Sequence, residues 1–233
     1  TAAGKIPDYD SAAIEAQIIE AARGWVDRLQ QALTAAKGEG IGLRLARRYG
    51  AGLPATYRET YSPDSAVVDI DRFEQAAETG RIALNLHRPV EASANELYFK
   101  LYQDKKPVEL SDVLPMLEDM GLRVLTAGGP YEVRLPARPH SIFLQDFQME
   151  TVSGQPVELD RVKALFEEAF IQVWSGEAQT DGFNKLVLGA GLQSREVAML
   201  RAYAKYLRQA KFDFTQAYLE DTLAAHPEIT RQL

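Results

Sequence analysis

The chain has 233 residues, 46% of them apolar and 25% charged, enough to fill one large core or two small ones. Lys and Arg total 26 against 33 Asp and Glu, and the net charge of −7 argues against a nucleic-acid binder, which needs a concentrated positive face. There is no cysteine, which removes disulfides, Cys-based metal sites and a thiol nucleophile, and no apolar run approaches the length of a membrane span.

Residues 10–36 carry the strongest helical pattern, with Ile14, Ile18, Trp25, Leu29 and Leu33 on one stripe. "GEGIGLRLARRYGAGLP" reads as a loop entering a short helix that ends near Gly50, with Pro54 as a stop. "ATYRETY" alternates and is rich in Thr and Tyr, which predicts a strand. "SPDSAVVDIDRFEQAAETG" predicts a helix capped by Ser or Asp and closed by Gly80. "RIALNLH" and "ELYFKLYQ" alternate, and the polar link between them predicts a hairpin.

In "VELSDVLPMLEDMGLRVL", Ser111 or Asp112 is placed to cap a short helix, with Val113, Leu114, Leu117 and Met120 on one face and Gly121 as terminator. Pro115 falls in the first turn, where a missing amide hydrogen costs least. "LRVLTAGG", "YEVRL" and "SIFLQDFQME" read as further strands, and residues 160–233 as helices. The middle of the chain is therefore expected to run strand, helix, strand, strand, helix, strand, then an extra hairpin. That order is an α+β fold, a ferredoxin-like split βαβ sandwich with two helices on one face of an antiparallel sheet. The expected organisation is a helical segment over 1–54, the sandwich over 55–152 and a second helical segment over 153–233. The first residue is not Met and a helical pattern still runs at "HPEITRQL", so the chain reads as a piece of a longer polypeptide.

No motif compels a catalytic reading. "LVLGAGLQSREVAML" imitates a dinucleotide fingerprint, but Ser194 occupies the third glycine position and no second parallel strand follows Asp213. "GEGIG" has no strand before it. His87, His140 and His226 are scattered, without the spacing of a metal site. Glu118 with Asp119, and Glu167 with Glu168, read as solvated helix faces rather than acid–base pairs. Trp25, Trp174, Phe166 and Phe170 read as packing residues. "YAKYLRQAKFDF" interleaves Tyr203, Lys205, Tyr206 and Arg208 and reads as a helix docking on another domain, with an anionic partner as the alternative.

Several long phrases, "LRLARRYGAGLPATYRETYSPDSAVVDIDRFE", "PVELSDVLPMLEDMGLRVL", "FEEAFIQVWSGEAQTDGFNKLVL" and "REVAMLRAYAKYLRQ", resemble the large bacterial NAD-specific glutamate dehydrogenases. The resemblance covers nearly the whole chain and implies an ACT-like domain of the regulatory region, with no catalytic residue, no metal and no cofactor here and NAD bound elsewhere in the parent. It implies a cytoplasmic oxidoreductase of amino-acid catabolism under allosteric regulation. The implied partners are other domains of the same chain, further copies of it in a homo-oligomer, and an amino-acid or carboxylate effector, with no nucleic acid and no membrane.

Effectors of ACT-like domains sit near strand-to-helix loops, which here implies Ser62, Asp64 and Ser65 in one loop and Lys105, Lys106 and Ser111 in another. Amides at a helix start with two nearby cations would suit a carboxylate. The plainer alternative is that Ser62, Asp64 and Ser111 cap helices and the lysines are solvated.

Overall fold

The computed structural model describes residues 24–233, so the part of the first predicted helix before Gly24 lies outside the described residues. Two compact units emerge. One comprises Val133–Pro139 with the described residues up to Asp71, the other Arg72–Glu132 with His140–Leu233.

In the first unit, helix α1 (Trp25–Lys37) turns at Gly38, φ +81°, into α2 (Glu39–Gly50). The stretch expected as a loop thus starts the second arm of a helical hairpin. Gly42 is the reason the arms can approach: a Cβ there would stand 2.5 Å from the Thr34 Cα. Leu29, Leu33, Leu45, Ala46 and Tyr49 are buried. The segment Val133–Pro139 is held by the Arg134 amide donating to Gly52 O at 3.1 Å, and a Cβ on Gly52 would lie 2.7 Å from Arg134 O.

The strand expected over "ATYRETY" is instead helix α3 (Ala55–Thr60). Seven residues with aromatics at Tyr57 and Tyr61 fit either period, and tertiary partners decide. Tyr57 is fully buried, its hydroxyl donates to Asp69 Oδ2 at 2.5 Å, and its ring meets Trp25 edge-on with centroids 6.2 Å apart. Arg58 Nε and Nη2 donate to Leu53 O at 3.0 and 2.8 Å, which ties the short helix to the chain just before it. Helix α4 (Pro63–Thr79) follows.

The second unit holds strands β1 (Ala83–His87) and β2 (Glu96–Asp104), helix α5 (Leu110–Asp119), strands β3 (Leu122–Val133) and β4 (Ile142–Thr151), and helix α6 (Leu159–Trp174). Sheet order is β1-β2-β4-β3, with β2 antiparallel to both β1 and β4. The β2–α5–β3 connection therefore straddles β4, which makes a split βαβ unit, and the fold is the expected α+β class. The chain order is permuted from the expectation because "ATYRETY" is helical: the outer strand β1 comes first, and the second helix on the sheet is α6, which follows the last strand.

Register sorts the faces by the period of two. Leu97, Phe99 and Leu101 of β2 oppose Met149, Phe147 and Gln145 of β4, and Phe99 and Leu101 oppose Leu86 and Leu84 of β1. Against this face lie Val113, Met116 and Leu117 of α5 and Val162, Phe166 and Phe170 of α6, all in one core. Phe99 meets Phe166 and Phe170 at centroid distances of 5.2 and 5.0 Å, both near edge-on. The opposite face buries Tyr102 beneath Phe73, from the C-terminal half of α4, at 5.2 Å.

Beyond α6 come a 3-10 turn (Gly182–Asn184) and helices α7 (Lys185–Gly189), α8 (Ser194–Gln209), α9 (Gln216–Ala225) and α10 (Pro227–Thr230). Phe183, Leu186, Val187, Ala190, Leu192, Val197 and Ala204 join the same core as Phe99 and Phe166. The sheet and these helices thus form one folded body. No strand precedes Gly189; it closes α7, and Gly191 takes φ +66° in the turn to α8, so the strand–turn–helix setting of a dinucleotide fingerprint is not met. Among the described residues no helix is long and apolar enough to cross a membrane.

Candidate functional site

The first expected loop is a helix cap. Ser62 Oγ accepts from the Ser65 amide at 3.2 Å and lies 3.1 Å from the Ser65 hydroxyl, while Ser62 O accepts from the Ala66 amide at 3.1 Å. Asp64 falls in the first turn of α4, where a carboxylate complements the exposed amides. Ser62, Asp64 and Ser65 are therefore gathered at one helix start.

The second loop belongs to the other compact unit. Lys105 takes φ +76°, and its amide donates to Ser141 O at 2.9 Å, which pins the turn after β2. The Lys106 amide donates to Asp104 O at 3.0 Å, and both lysine side chains are exposed. The buried Val108 amide donates to Gln145 Oε1 at 2.8 Å, fixing the entry to α5 against the sheet. The residue before α5 is Glu109, not Ser111 or Asp112, and it makes no side-chain cap. Ser111 lies one position inside the helix. Glu109 and Asp112 place two carboxylates at the helix start.

A larger concavity of about 660 Å³ lies in the same unit, where the end of β4 meets the C-terminal helices. Its walls include Gly121, Thr151, Ser153 and Gln155 from the sheet side and Lys185 and Leu188 from α7. The turn that shapes it is tightly bonded: Val152 N donates to Gly121 O at 2.9 Å, Gly154 N to Thr151 O at 3.0 Å, and Thr151 Oγ1 to Gln155 O at 2.9 Å. Gly154 sits at φ +67°, which favours glycine. Lys185 lays its stem over Gly121, its Cγ 3.4 Å from where a Cβ would stand, and its Nζ pairs with Asp221 at 3.1 Å. The cleft is lined by apolar side chains together with hydroxyl and amide groups and one ammonium group. Sequence reading missed it because its walls come from segments far apart in the chain.

Two charged features serve the fold. Glu167, expected on a solvated face, accepts from the Leu86 amide at 2.8 Å, and the neighbouring Lys163 Nζ donates to Asn85 Oδ1 at 2.9 Å. The Glu167 carboxylate thereby pairs the Leu86 amide on the outer edge of β1, which would otherwise be open to another strand. Arg201 of α8 donates to both oxygens of Asp181 at 2.7 and 2.8 Å and to Asn184 Oδ1 at 2.8 Å, locking the turn that precedes α7. Among the described residues no group of three or more His, Cys, Asp or Glu side chains could hold a metal ion.

Three family models match the chain: glutamate dehydrogenase helical motif 2 over residues 32–76, the glutamate dehydrogenase ACT3 domain over 81–162, and glutamate dehydrogenase helical motif 3 over 178–233. The chain is 41% identical over 226 residues to an NAD-specific glutamate dehydrogenase of Halomonas elongata and 36% identical over 226 residues to one of Pseudomonas aeruginosa. In each case the match covers 97% of this chain and 14% of the relative. An NAD-specific glutamate dehydrogenase of Mycobacterium tuberculosis is 34% identical over 227 residues, covering 94% of this chain and 13% of the relative. The chain thus spans about one seventh of the length of the relatives it matches.

Proposed function

Because the chain belongs to the family of NAD-specific glutamate dehydrogenases, within the stretch that carries helical motif 2, ACT3 and helical motif 3, we propose that it is a non-catalytic regulatory and assembly section of such an enzyme. The parent reaction is the oxidative deamination of L-glutamate to 2-oxoglutarate and ammonia with NAD, in the cytoplasm. NAD and the reacting atoms belong to other parts of that polypeptide. The ACT-like sheet senses an amino-acid or carboxylate effector or makes contact with other domains and other copies of the chain.

The observation that supports this reading is the single core shared by the ACT3 and helical motif 3 segments. Phe99 of the sheet, Phe166 and Phe170 of α6, and Phe183 and Leu186 beyond it are all buried in it. Close-packed interiors transmit displacement rather than absorb it. A ligand that shifts the sheet ends at Lys105, Lys106 and Ser111, or fills the cleft beside Lys185, therefore acts on the helices as well. Ser62, Asp64 and Ser65 are the corresponding effector positions in the other unit.

The test is a thermal-shift screen of the chain against amino acids and central carboxylates. An upward shift that disappears in Lys105→Asn supports sensing at the β2–α5 turn. Asn is chosen because it tolerates the positive φ at that position. A shift that disappears only in Asp64→Asn moves the sensor to the α4 cap. No shift across the panel leaves a purely architectural section and removes the sensing role.

A further inference from the structure

In a chain of net charge −7, helix α2 gathers Arg44, Arg47 and Arg48 on one side, at spacings that bring Cβ atoms roughly 5–6 Å apart. Like charges at such spacings weaken a helix. Arg47 and Arg48 gain from the helix C-terminus, where cations are favoured, but Arg44 is a turn too early to share that gain. Among the described residues Arg44 and Arg47 make no ion pair, and both are exposed. The packing of the hairpin does not require them, because Leu45, Ala46 and Tyr49 supply the buried face.

The three arginines border a concavity of about 520 Å³ whose remaining walls are Gly40, Leu43, Pro136 and Ala137. Pro136 and Ala137 come from the distant segment pinned across Gly52, so the hollow is made by two parts of the first unit rather than by one helix. Its size lies within the roughly 300–1,000 Å³ of small-molecule sites. Apolar walls with arginines among the lining residues match a compact body carrying oxyanions, because a guanidinium pairs two-pronged with phosphate or carboxylate.

We propose that the hollow between α2 and Pro136–Ala137 binds a small polyanion through Arg44 and Arg47, with Arg48 at its side. The site is separate from the sheet-end positions and from the cleft beside Lys185, and it does not depend on the function proposed above. Phosphate and carboxylate share the recognition chemistry, so the probes are pyrophosphate and citrate.

Isothermal titration of the 233-residue chain with each probe at low salt tests the proposal, and whichever probe binds more tightly identifies the oxyanion. Arg44→Gln/Arg47→Gln is expected to weaken binding at least tenfold, while Arg28→Gln, an equal charge change per site on the exposed side of α1, leaves it within twofold. Gly40→Leu provides a steric test without touching charge. A Cβ at Gly40 meets nothing within 4 Å, so the fold accepts the side chain while the hollow is filled. Binding is expected to fall at least tenfold there too. Absence of binding by both probes overturns the proposal, as does equal weakening in Arg28→Gln or undiminished binding in Gly40→Leu. Saturable binding of a poly-glutamate peptide without either small probe also overturns it, in favour of a protein-docking surface.

Discussion

Replacing Arg201 by Met removes the ionic lock that joins α8 to the turn before α7. The Arg201 side chain is 8% exposed and that of Asp181 15%, so the pair is close to fully desolvated. The substitution leaves the Asp181 carboxylate with the Phe183 amide at 3.2 Å and leaves Asn184 Oδ1 without its donor. Stranding one charge of a buried pair costs about 3–5 kcal/mol, and the residual exposure places the expected loss near the lower end, about 3 kcal/mol. Loss of the cation–π contact to Phe183, 5.9 Å from the guanidinium carbon to the ring centroid, falls within that figure.

Trp174, stacked 6.3 Å from Phe170, reports on this unit, and a Trp25→Phe background silences the tryptophan of the other. With a urea dependence of about 1–3 kcal/mol per molar, the fluorescence midpoint is expected to fall by about 1–3 M. Asp181→Asn/Arg201→Met is expected to cost less than the sum of the single changes by more than about 1 kcal/mol. A loss below about 1 kcal/mol in Arg201→Met, with strictly additive singles, would refute the assignment of the lock.

Gly42→Ala sets helix propensity against packing. Alanine gains about 1 kcal/mol in a helix interior, but its Cβ would stand 2.5 Å from the Thr34 Cα, and the backbone displacement costs about 1–3 kcal/mol. Net destabilisation is expected in the Trp25 fluorescence transition. Glu167→Ala removes the acceptor of the Leu86 amide and is expected to cost about 1–2 kcal/mol, with faster hydrogen exchange at that amide than at neighbouring β1 amides. Phe99→Ala empties a fully buried position touching two α6 rings and is expected to cost about 3–5 kcal/mol, read as earlier urea unfolding by Trp174 fluorescence.

Much of the second unit is legible in the residues. Alternation over "ELYFKLYQ" places Leu97, Phe99 and Leu101 on one face, as the register confirms. The stripe Val162, Phe166, Ala169 and Phe170 is the buried side of α6. What alternation cannot supply is the partner that decides a short ambiguous run. "ATYRETY" is a helix because Tyr57 reaches the buried Asp69 and meets Trp25 edge-on, contacts that are distant in sequence. Glu167 looks solvated on a helical wheel, yet it caps a strand 81 residues earlier. Ser62, Asp64 and Ser65, expected between a strand and a helix, lie where helix α3 gives way to helix α4, while Lys105 and Lys106 follow β2 and Ser111 lies inside α5. The Lys185 cleft and the Arg44–Arg47 hollow are assembled from separated segments that no local pattern joins.

The central claim, that this section regulates and assembles without carrying the redox site, is tested most directly by calorimetric titration of the 233-residue chain with NAD. No saturable heat is expected up to millimolar NAD, and no reduction of NAD when glutamate is added. Tight stoichiometric binding, or turnover in the same cell, would contradict it.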